Sequence, residues 1–446
     1  MKKSARLFAV AVQILIVVGF WLWSHTQSPM GNLLSGDVPD KLLAWGRLTG
    51  LLAVCAVLFQ FMLIGRVRWV EQSFGMDRLT RLHHVAGFAL LLLLVAHPVL
   101  VTFGHAMQAE TGYWEQSLDF CKAWKGLLAA YAGLALLFAA SVASVLVLVK
   151  RLPYGRWYAT HLVLYAAFGL TVPHQVEVGG DLTAHAGFRA YWYALYAGVL
   201  ALVFFCRFVR PLALLARHRF AVTRIVPETD DVTSVYLGGK KLERFPAAAG
   251  QFLIVRFLAK GFRWEAHPFS LSRPPDGRQL RLTIKRLGDF TRRIPQLKPG
   301  TPVLIEGPYG VFTARGCASS KALLIAGGIG ITPIRSLAEA LVAAGREVIL
   351  IYANRTRAST VFRQELEELV GRSGGHLDLI LVMSDEAVWT GQKGRVDRAL
   401  LARFVPDVLS RDVFVCGPPQ MMKSVRAALT GLGVAASRIH DERFAL

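Results

Sequence analysis

The segment Leu82–Phe103, LHHVAGFALLLLLVAHPVLVTF, is long and apolar enough to cross a bilayer and carries histidines near both ends. His83 and His97 are fourteen residues apart. Fourteen residues of an ideal α-helix return to within about 40° of the same face, about 21 Å further along. Ionisable side chains are costly inside an apolar span and need a partner or a function there. The stretch therefore predicts a membrane helix with two imidazoles on one stripe, one in each leaflet.

The composition separates the chain into two halves. Its 446 residues are 54% hydrophobic with a mean hydropathy of +0.41, which is too apolar for an ordinary soluble protein. Long apolar runs extend to about Arg210, and short strand-like and helix-like segments follow. Much of the net charge of +21 lies in short loops beside the apolar runs, and no nucleic-acid module is visible, so nucleic acid is not an expected partner. The five cysteines lack paired spacing, which indicates neither a disulfide framework nor a zinc site.

Six apolar runs are predicted to span the lipid bilayer, and their flanks give the orientation. They lie near 6–23, 42–64, 82–103, 126–149, 158–176 and 189–209. Connections rich in Arg and Lys alternate with loops that carry Asp and Glu. By the positive-inside rule, both termini and the whole C-terminal half face the cytoplasm. The basic and then apolar N-terminus is interpreted as an uncleaved first span, because no small-x-small cleavage site follows it.

The fifth run repeats the histidine pattern of the third. His161 lies near its cytoplasmic end and His174 near its outer end. In this orientation His83 and His161 share the inner leaflet, and His97 and His174 share the outer leaflet. Two helices that each offer one histidine at two depths match the bis-imidazole axial ligation of two haem irons, one above the other.

The spacing of these histidines leaves alternatives open. His161 and His174 are thirteen residues apart, which misses the starting face of an ideal helix by about 140°. Pro173 is predicted to bend the helix and restore the alignment. His84 competes as the inner ligand of the third run. The other interpretations are interfacial histidines at helix ends and a proton path made of histidines.

The second half predicts two further domains. Short β-branched runs from about His218 predict a small antiparallel barrel: FAVTRIVPE, DVTSVYLGG, QFLIVRFLA, LRLTIKRLG and TPVLIEGPYG. Apolar strands that alternate with amphipathic helices then predict an open α/β sheet, with ligands beyond the carboxyl ends of its strands. The expected domains are a transmembrane domain over 1–212, a β-barrel domain over 217–316 and an α/β domain over 319–446.

Two glycine turns after apolar strands are candidate nucleotide sites. In LLIAGGIGITP, Gly327, Gly328 and Gly330 permit close approach of a phosphate, and the following helix N-terminus attracts negative charge. In VFVCGPPQMM, Cys416 and Gly417 end a strand where a nicotinamide would lie. The alternatives are a structural turn for the first motif and a buried structural cysteine for the second.

Two polar interruptions of strand-like sequence are candidate flavin or diphosphate contacts. They are HPFSLS (His267–Ser272) and IKRLGDFT (Ile284–Thr291). The hydroxyl groups of Ser270, Ser272 and Thr291 and the backbone near Gly288 are able to bind a diphosphate or the edge of a flavin ring. The same residues are also typical of turns.

The ordered motifs resemble two known families. HPFSLS, IKRLGDFT, EGPYG, AGGIGITP, CGPPQMM and the ending ERFAL resemble the ferredoxin–NADP reductase superfamily. Six spans with paired histidines in the third and fifth resemble the NADPH oxidase and ferric reductase family. The segment DRLTRLHH is similar to that family's third span and favours His83 over His84. The core without a calcium-binding extension resembles bacterial members.

This resemblance implies FAD, NAD(P)H and two b-type haems as cofactors. The residues implied for FAD are His267, Pro268, Phe269, Ser270, Leu271, Ser272, Lys285, Gly288, Asp289 and Thr291. Those implied for NAD(P)H are Gly327, Gly328, Gly330, Thr332, Pro333, Arg355, Cys416, Gly417 and Pro418. Phe444, in the ERF ending, is expected to cover the flavin and yield to nicotinamide, so Cys416 and Phe444 are the residues expected at the reacting centre. Arg355 lies where such reductases often meet the 2′-phosphate, which favours NADPH over NADH.

The expected function is an electron path across the bacterial inner membrane. NAD(P)H gives a hydride to FAD, and single electrons pass to a haem on His83 and His161 and then to one on His97 and His174. The acceptor on the outer side is a ferric chelate, oxygen, a quinone or a periplasmic redox partner. Two other classes remain open: a membrane-anchored flavin reductase without haem, and a proton or ion transporter with a nucleotide-sensing domain.

Overall fold

A computed structural model of the chain describes residues 3–27, 36–148 and 154–442. Phe444, one of the two residues expected at the reacting centre, lies outside these residues. The chain divides into two compact units, Met1–Gly65 with Thr80–Val203 and Arg66–Leu79 with Phe204–Leu446. The second unit thus includes a short segment that lies, in the sequence, between two long apolar helices.

The N-terminal half is helical. Its helices are α1 (Lys3–Gln27), α2 (Val38–Ile64), α3 (Arg68–Phe74), α4 (Met76–Gln108), α5 (Tyr113–Ala123), α6 (Lys125–Leu148), α7 (Tyr154–Glu177), α8 (Gly180–Ala184), α9 (Ala186–Phe204) and, after a π-helical turn over Phe205–Val209, α10 (Arg210–His218). The described residues of each of the six apolar runs are thus helical.

Four of the described helical stretches are long and apolar enough to cross a membrane, which makes this a membrane-type helical region. They are Val38–Ile64, Met76–Gln108, Gly126–Ser144 and Ala186–His218. The apolar part of the first helix, Ala11–Thr26, is shorter. The six predicted spans therefore remain a prediction for the first and fifth runs.

Helix α4 is apolar on the side that the protein leaves uncovered. Val85, Phe88 and Leu92 follow one another at i, i+3 and i+7 and are all exposed, so they form one stripe of the helix surface. Lipid is the solvent that suits such a stripe. Helices α4 and α7 continue through Pro98 and Pro173 respectively, and the bend expected at Pro173 remains a prediction.

Glycines bring the helices of the first unit close together. A Cβ atom at Gly133 of α6 would lie 2.7 Å from the backbone oxygen of Ala167 in α7. A Cβ atom at Gly46 of α2 would lie 2.7 Å from a methyl group of Val101 in α4. Side chains at these positions would force the backbones apart, so glycine permits both contacts.

The first part of the second unit contains two three-stranded antiparallel sheets. Their strands are β1 (Ala221–Thr229), β2 (Val232–Gly238), β3 (Phe252–Phe257), β4 (His267–Ser270), β5 (Leu280–Lys285) and β6 (Val303–Tyr309), in the orders β1-β2-β5 and β4-β3-β6. A short helix, α11 (Asp289–Arg293), follows β5. The isolated bridges Ala221↔Pro302 and Leu271↔Leu282 connect the two sheets at their edges. Leu237, Val255 and Ile305 are among the fully buried residues of the core between them.

The last part is a six-stranded parallel sheet, as the alternating pattern predicts. Its elements are β7 (Lys321–Gly327), α12 (Ile331–Ala343), β8 (Glu347–Asn354), α13 (Arg363–Arg372), β9 (Leu377–Met383), β10 (Gln392–Lys393), α14 (Arg398–Phe404), β11 (Asp412–Cys416), α15 (Pro419–Gly431) and β12 (Ile439–Glu442). The strand order is β10-β9-β8-β7-β11-β12. Helices α12 and α13 pack in one core and α14 and α15 in another. Because Cys416 pairs with Ala326, the carboxyl ends of β11 and β7 are neighbours.

Candidate functional site

The structure brings both predicted histidine pairs together. The ring centroids of His97 and His174 are 6.2 Å apart, with 36° between the ring planes. Those of His83 and His161 are 6.1 Å apart, with 73° between the planes. A metal ion bonded at about 2.0 Å to one nitrogen of each of two imidazoles, with each nitrogen about 1.1 Å from its ring centroid, would hold the centroids about 6.2 Å apart. Both pairs therefore have the spacing of axial ligands on opposite sides of one metal.

One histidine in each of the helices α4 and α7 is held through Nδ1, which leaves its Nε2 available to a metal ion. Nδ1 of His97 donates to the carbonyl oxygen of Gly46 at 2.8 Å. Nδ1 of His161 lies 3.4 Å from the hydroxyl oxygen of Ser144. That hydroxyl accepts from the indole of Trp157 at 3.0 Å and donates to a backbone carbonyl, so it accepts the imidazole N–H as well. An imidazole that donates from Nδ1 keeps a lone pair on Nε2, which is the arrangement that metal-binding histidines need.

The other two histidines contain buried nitrogens without a partner. Nδ1 of His83 and Nδ1 of His174 make no hydrogen bond within the described part of the chain. His84 is exposed, and its ring centroid lies 6.1 Å from that of His83. The half-buried His83, rather than the exposed His84, is the better-placed partner of His161, but the choice of ligand remains a prediction.

The imidazole of His97 lies in a groove made by a glycine of α2. A Cβ atom at Gly50 would lie 2.7 Å from Nδ1 and 2.8 Å from Cε1 of that ring. Gly46 and Gly50 are one helical turn apart, so one supplies the hydrogen-bond acceptor and the other supplies space. Sequence reasoning missed both residues and also Ser144. The only available signal was small and hydroxyl residues inside apolar runs.

Strand β4 carries the first predicted flavin contacts. The hydroxyl oxygen of Ser270 is buried and has no hydrogen-bond partner among the described residues, so it is available to a ligand. The ring of His267 lies against that of Phe290, with centroids 4.0 Å apart and 36° between the ring planes, and its Nε2 lies 3.3 Å from Glu265. Pro268 and Phe269 lie between them in the strand, with Phe269 packed against the core.

Other predicted flavin residues already have internal partners. The hydroxyl group of Ser272 is fully buried and bonds Arg281 at 3.0 Å and Thr283 at 2.8 Å. Thr291 accepts from the backbone N–H groups of Leu287 and Gly288 at 2.9 and 3.0 Å. These hydroxyl groups stabilise local structure, and their contact with FAD remains a prediction. The remaining members are the buried Leu271, Lys285 beside Asp231, and Asp289 beside Arg292.

The two glycine motifs of the nucleotide domain pack against each other. A Cβ atom at Gly330 would collide with the backbone oxygen of Cys416, and one at Gly327 with the sulfur of Met421. These two glycines thus allow the strand ends to approach. Gly328 has a φ of +51° and open space where a Cβ atom would lie, so this turn of the backbone is accessible.

The other predicted nucleotide residues range from buried to fully exposed. Thr332 and Pro333 are buried at the start of α12, whereas Pro418 is exposed beside the half-buried Gly417. Cys416 is 0% exposed, and burial raises the pKa of its thiol well above the ordinary value, with Glu442 and Asp77 adding to the effect. The thiol is therefore neutral at physiological pH.

Arg355 lies at the carboxyl end of β8, as expected for a contact with the adenosine half of a dinucleotide. Its side chain is 81% exposed, and its guanidinium lies 3.1 Å from the carboxylate of Asp385. A 2′-phosphate would therefore compete with Asp385 for this cation. The sequence analysis did not single out Asp385.

Three family models match consecutive parts of the chain. A ferric reductase-like transmembrane component matches residues 49–172, an FAD-binding domain matches 215–313, and an oxidoreductase NAD-binding domain matches 324–427. In these three parts the chain is similar to a ferric reductase- or NADPH oxidase-like protein. Its matches to an FAD-binding domain and an oxidoreductase NAD-binding domain follow a membrane-type helical region.

Curated relatives match about half of this chain. The glycine betaine monooxygenase reductase subunit of Chromohalobacter salexigens is 29% identical over 238 residues, which is 51% of this chain and 64% of the relative. The ferredoxin reductase component of the Mycobacterium tuberculosis 3-ketosteroid-9-alpha-monooxygenase is 31% identical over 236 residues, 50% of this chain and 64% of the relative. This chain thus spans less than two thirds of these relatives. Among solved structures, the FAD/NAD-binding domain of Vibrio cholerae nitric oxide dioxygenase is 25% identical with a TM-score of 0.46, covering 51% of this chain and 98% of that one.

Proposed function

We propose that this reductase carries electrons from cytoplasmic NADPH through FAD and two b-type haems to an acceptor on the outer side of the bacterial inner membrane. The observation that carries the proposal is the spacing of the two imidazole pairs, 6.1 and 6.2 Å between ring centroids. Two pairs at two depths of the same two helices suit two redox groups in series. The acceptor that we favour is a ferric chelate or oxygen.

The histidine pairs would hold the haems from opposite sides. His83 and His161 would hold the inner haem, and His97 and His174 the outer haem. The hydrogen bonds from Nδ1 of His97 and His161 would fix each ring and leave Nε2 for iron. In this proposal the six apolar runs all span the bilayer, and both termini are cytoplasmic.

The second unit would supply the electrons. FAD, when bound, accepts two electrons as hydride from a nicotinamide and releases them singly to one-electron carriers. Ser270, with its unpartnered hydroxyl, would contact the flavin, and the open turn at Gly328 would contact the dinucleotide. The neutral, buried Cys416 would pack beside the nicotinamide, and Phe444 would cover the flavin until the nicotinamide displaces it. Arg355 would bind the 2′-phosphate of NADPH.

The proposal is tested by haem content and turnover in four histidine variants. The purified full chain is expected to oxidise NADPH anaerobically with a ferric chelate and to show a b-type spectrum on reduction. His97→Ala and His174→Ala should lose the outer haem and external acceptor reduction while retaining NADPH-dependent flavin reduction. His83→Ala should lose the inner haem, whereas the adjacent His84→Ala serves as its matched control and should retain it. Full external reduction by His97→Ala would instead support a flavin reductase on a membrane anchor.

A further inference from the structure

The segment Arg66–Leu79 packs inside the flavin and nucleotide unit, although it connects the long apolar helices α2 and α4 in the sequence. Arg66 forms an ion pair with Glu306 of β6. The Oε1 atom of Glu71 accepts the backbone N–H of Gly310 at 2.8 Å. Met76 packs against the apolar cluster of Phe252, Ile254 and Tyr309. The segment is therefore a covering layer of the β4-β3-β6 sheet.

This layer covers the face of the sheet to which Ser270 belongs. Phe252 of β3 pairs with Ser270 on one side and with Tyr309 on the other. Directly paired residues of antiparallel strands place their side chains on the same face. Adjacent strands are about 4.8 Å apart, so Ser270 and Tyr309 are about 10 Å apart along the hydrogen-bonding direction. Ser270 is the proposed flavin contact, which puts the covering segment beside the flavin site.

Buried polar atoms without partners gather where the segment meets the sheet. Oε2 of Glu71, Nε of Arg68 and the hydroxyl group of Tyr309 are all buried and make no hydrogen bond within the described residues. Glu71 is 0% exposed. A buried carboxylate with a free oxygen is costly unless it is neutralised, and unsatisfied buried groups of this kind often mark a functional role.

We propose that Glu71 accepts the proton that leaves the flavin site when electrons pass to the redox groups that the histidine pairs would hold. This inference rests on the proposed function. Each hydride from NAD(P)H brings two electrons and one proton. The two electrons leave singly toward the histidine pairs, so one proton per NAD(P)H must also leave. It bonds to Oε2 of Glu71 and converts the carboxylate to a carboxylic acid, which later releases the proton to the cytoplasm.

The surroundings of Glu71 suit reversible protonation near neutral pH. Burial raises its pKa to about 7, while the hydrogen bond from Gly310 and the charge of Arg68 oppose the rise. An acceptor with a pKa near the working pH both takes up and releases protons readily. The charged and titratable groups around it are Arg66, Arg68 and Asp77 of the segment, Arg210 of α10, Glu306 and Tyr309 of β6, and Glu442 of β12.

Anaerobic stopped-flow spectroscopy on the full chain separates flavin reduction from haem reduction. The ionised carboxylate is the acceptor, so haem reduction in the wild type should slow about tenfold from pH 8 to pH 6. Glu71→Gln should slow haem reduction at every pH and remove this pH dependence, with flavin reduction unchanged. Glu71→Asp should retain the dependence, and Glu367→Gln, an exposed carboxylate on α13, should behave as wild type. A Glu71→Gln variant with the wild-type pH profile would overturn the proposal.

Infrared spectroscopy tests the same group without turnover. The oxidised wild-type protein without NADPH should show a carboxylic acid band that titrates near pH 7 and is absent from Glu71→Gln. Failure to find this band in the wild type would also overturn the proposal. Absence of haem would refute the proposed function but not the role of Glu71. That role would still be tested by the infrared titration and by the pH dependence of flavin reoxidation by ferricyanide, because neither measurement requires haem.

Discussion

Replacing Gly50 with alanine should displace the imidazole of His97 and weaken the outer haem site. The new Cβ atom would lie 2.7 Å from Nδ1, whereas ordinary contacts begin at 3.4 Å. The ring must therefore withdraw from α2 by about 0.7 Å. Gly46 lies one turn away on the same helix, so the same movement stretches the 2.8 Å hydrogen bond from Nδ1 beyond the normal limit of about 3.2 Å.

The expected cost follows from these two effects. Overpacking of a filled site typically costs about 1–3 kcal/mol. Loss of the hydrogen bond that orients a metal-binding histidine typically lowers metal affinity about 10- to 100-fold. We therefore expect the outer haem to bind about 10- to 100-fold more weakly in Gly50→Ala. The inner pair, His83 and His161, makes no contact with this glycine and should keep its haem.

Haem quantification per chain measures this effect, together with the low-temperature spectrum of each haem. Gly198→Ala is the matched control, because Gly198 lies in α9 with open space where its Cβ atom would go. The control should retain two haems, while Gly50→Ala should fall toward one. Full haem content and an unchanged outer-haem spectrum in Gly50→Ala would refute the assignment of this glycine as the support of His97.

Three further substitutions test other parts of the account. Ser144→Val removes the acceptor beside Nδ1 of His161 and should weaken the inner haem at least about tenfold, measured by haem titration. Asp385→Asn removes the competitor of Arg355; because this surface pair contributes about 1 kcal/mol at most, the KM for NADPH should fall up to about fivefold and that for NADH should not change. In the wild type, the pKa of Glu71 is raised from 4.5 to about 7, so the ionised carboxylate lowers the free energy of unfolding above pH 7 by about 3 kcal/mol. Glu71→Gln removes this penalty. The variant should therefore unfold at a higher temperature than wild type at pH 8, and most of this difference should disappear at pH 5.

The sequence was most informative where the signal is periodic along one element. Depth and face in a helix follow from spacing, so the sequence predicted the pairs His83–His161 and His97–His174, and the ring centroids of each pair are 6.1 and 6.2 Å apart in the structure. Their role as haem ligands stays a prediction. The α/β sheet was predictable for the same reason, since each strand and helix has its own apolar pattern. The thirteen-residue spacing in α7 did not prevent both of its histidines from meeting their partners in α4.

Residues that position a functional side chain on another helix or strand were not predictable from the sequence. Gly46 and Gly50 gain their importance from the position of α2 beside α4, which no local pattern specifies. Ser272 was selected as a polar interruption, but in the structure it bonds Arg281. The sequence of the segment Arg66–Leu79 predicts a basic loop between two spans. Only the tertiary structure shows that the segment packs in the second unit, where Glu71 is buried.

The central claim is that two histidine pairs hold two haems in series. The most direct measurement is the haem content of the purified full chain, with the difference spectrum between its dithionite-reduced and oxidised forms. The account predicts two b-type haems per chain, both low-spin with two histidine ligands, and the loss of one haem in His97→Ala. A chain that binds FAD and oxidises NADPH but shows no b-type spectrum would contradict it.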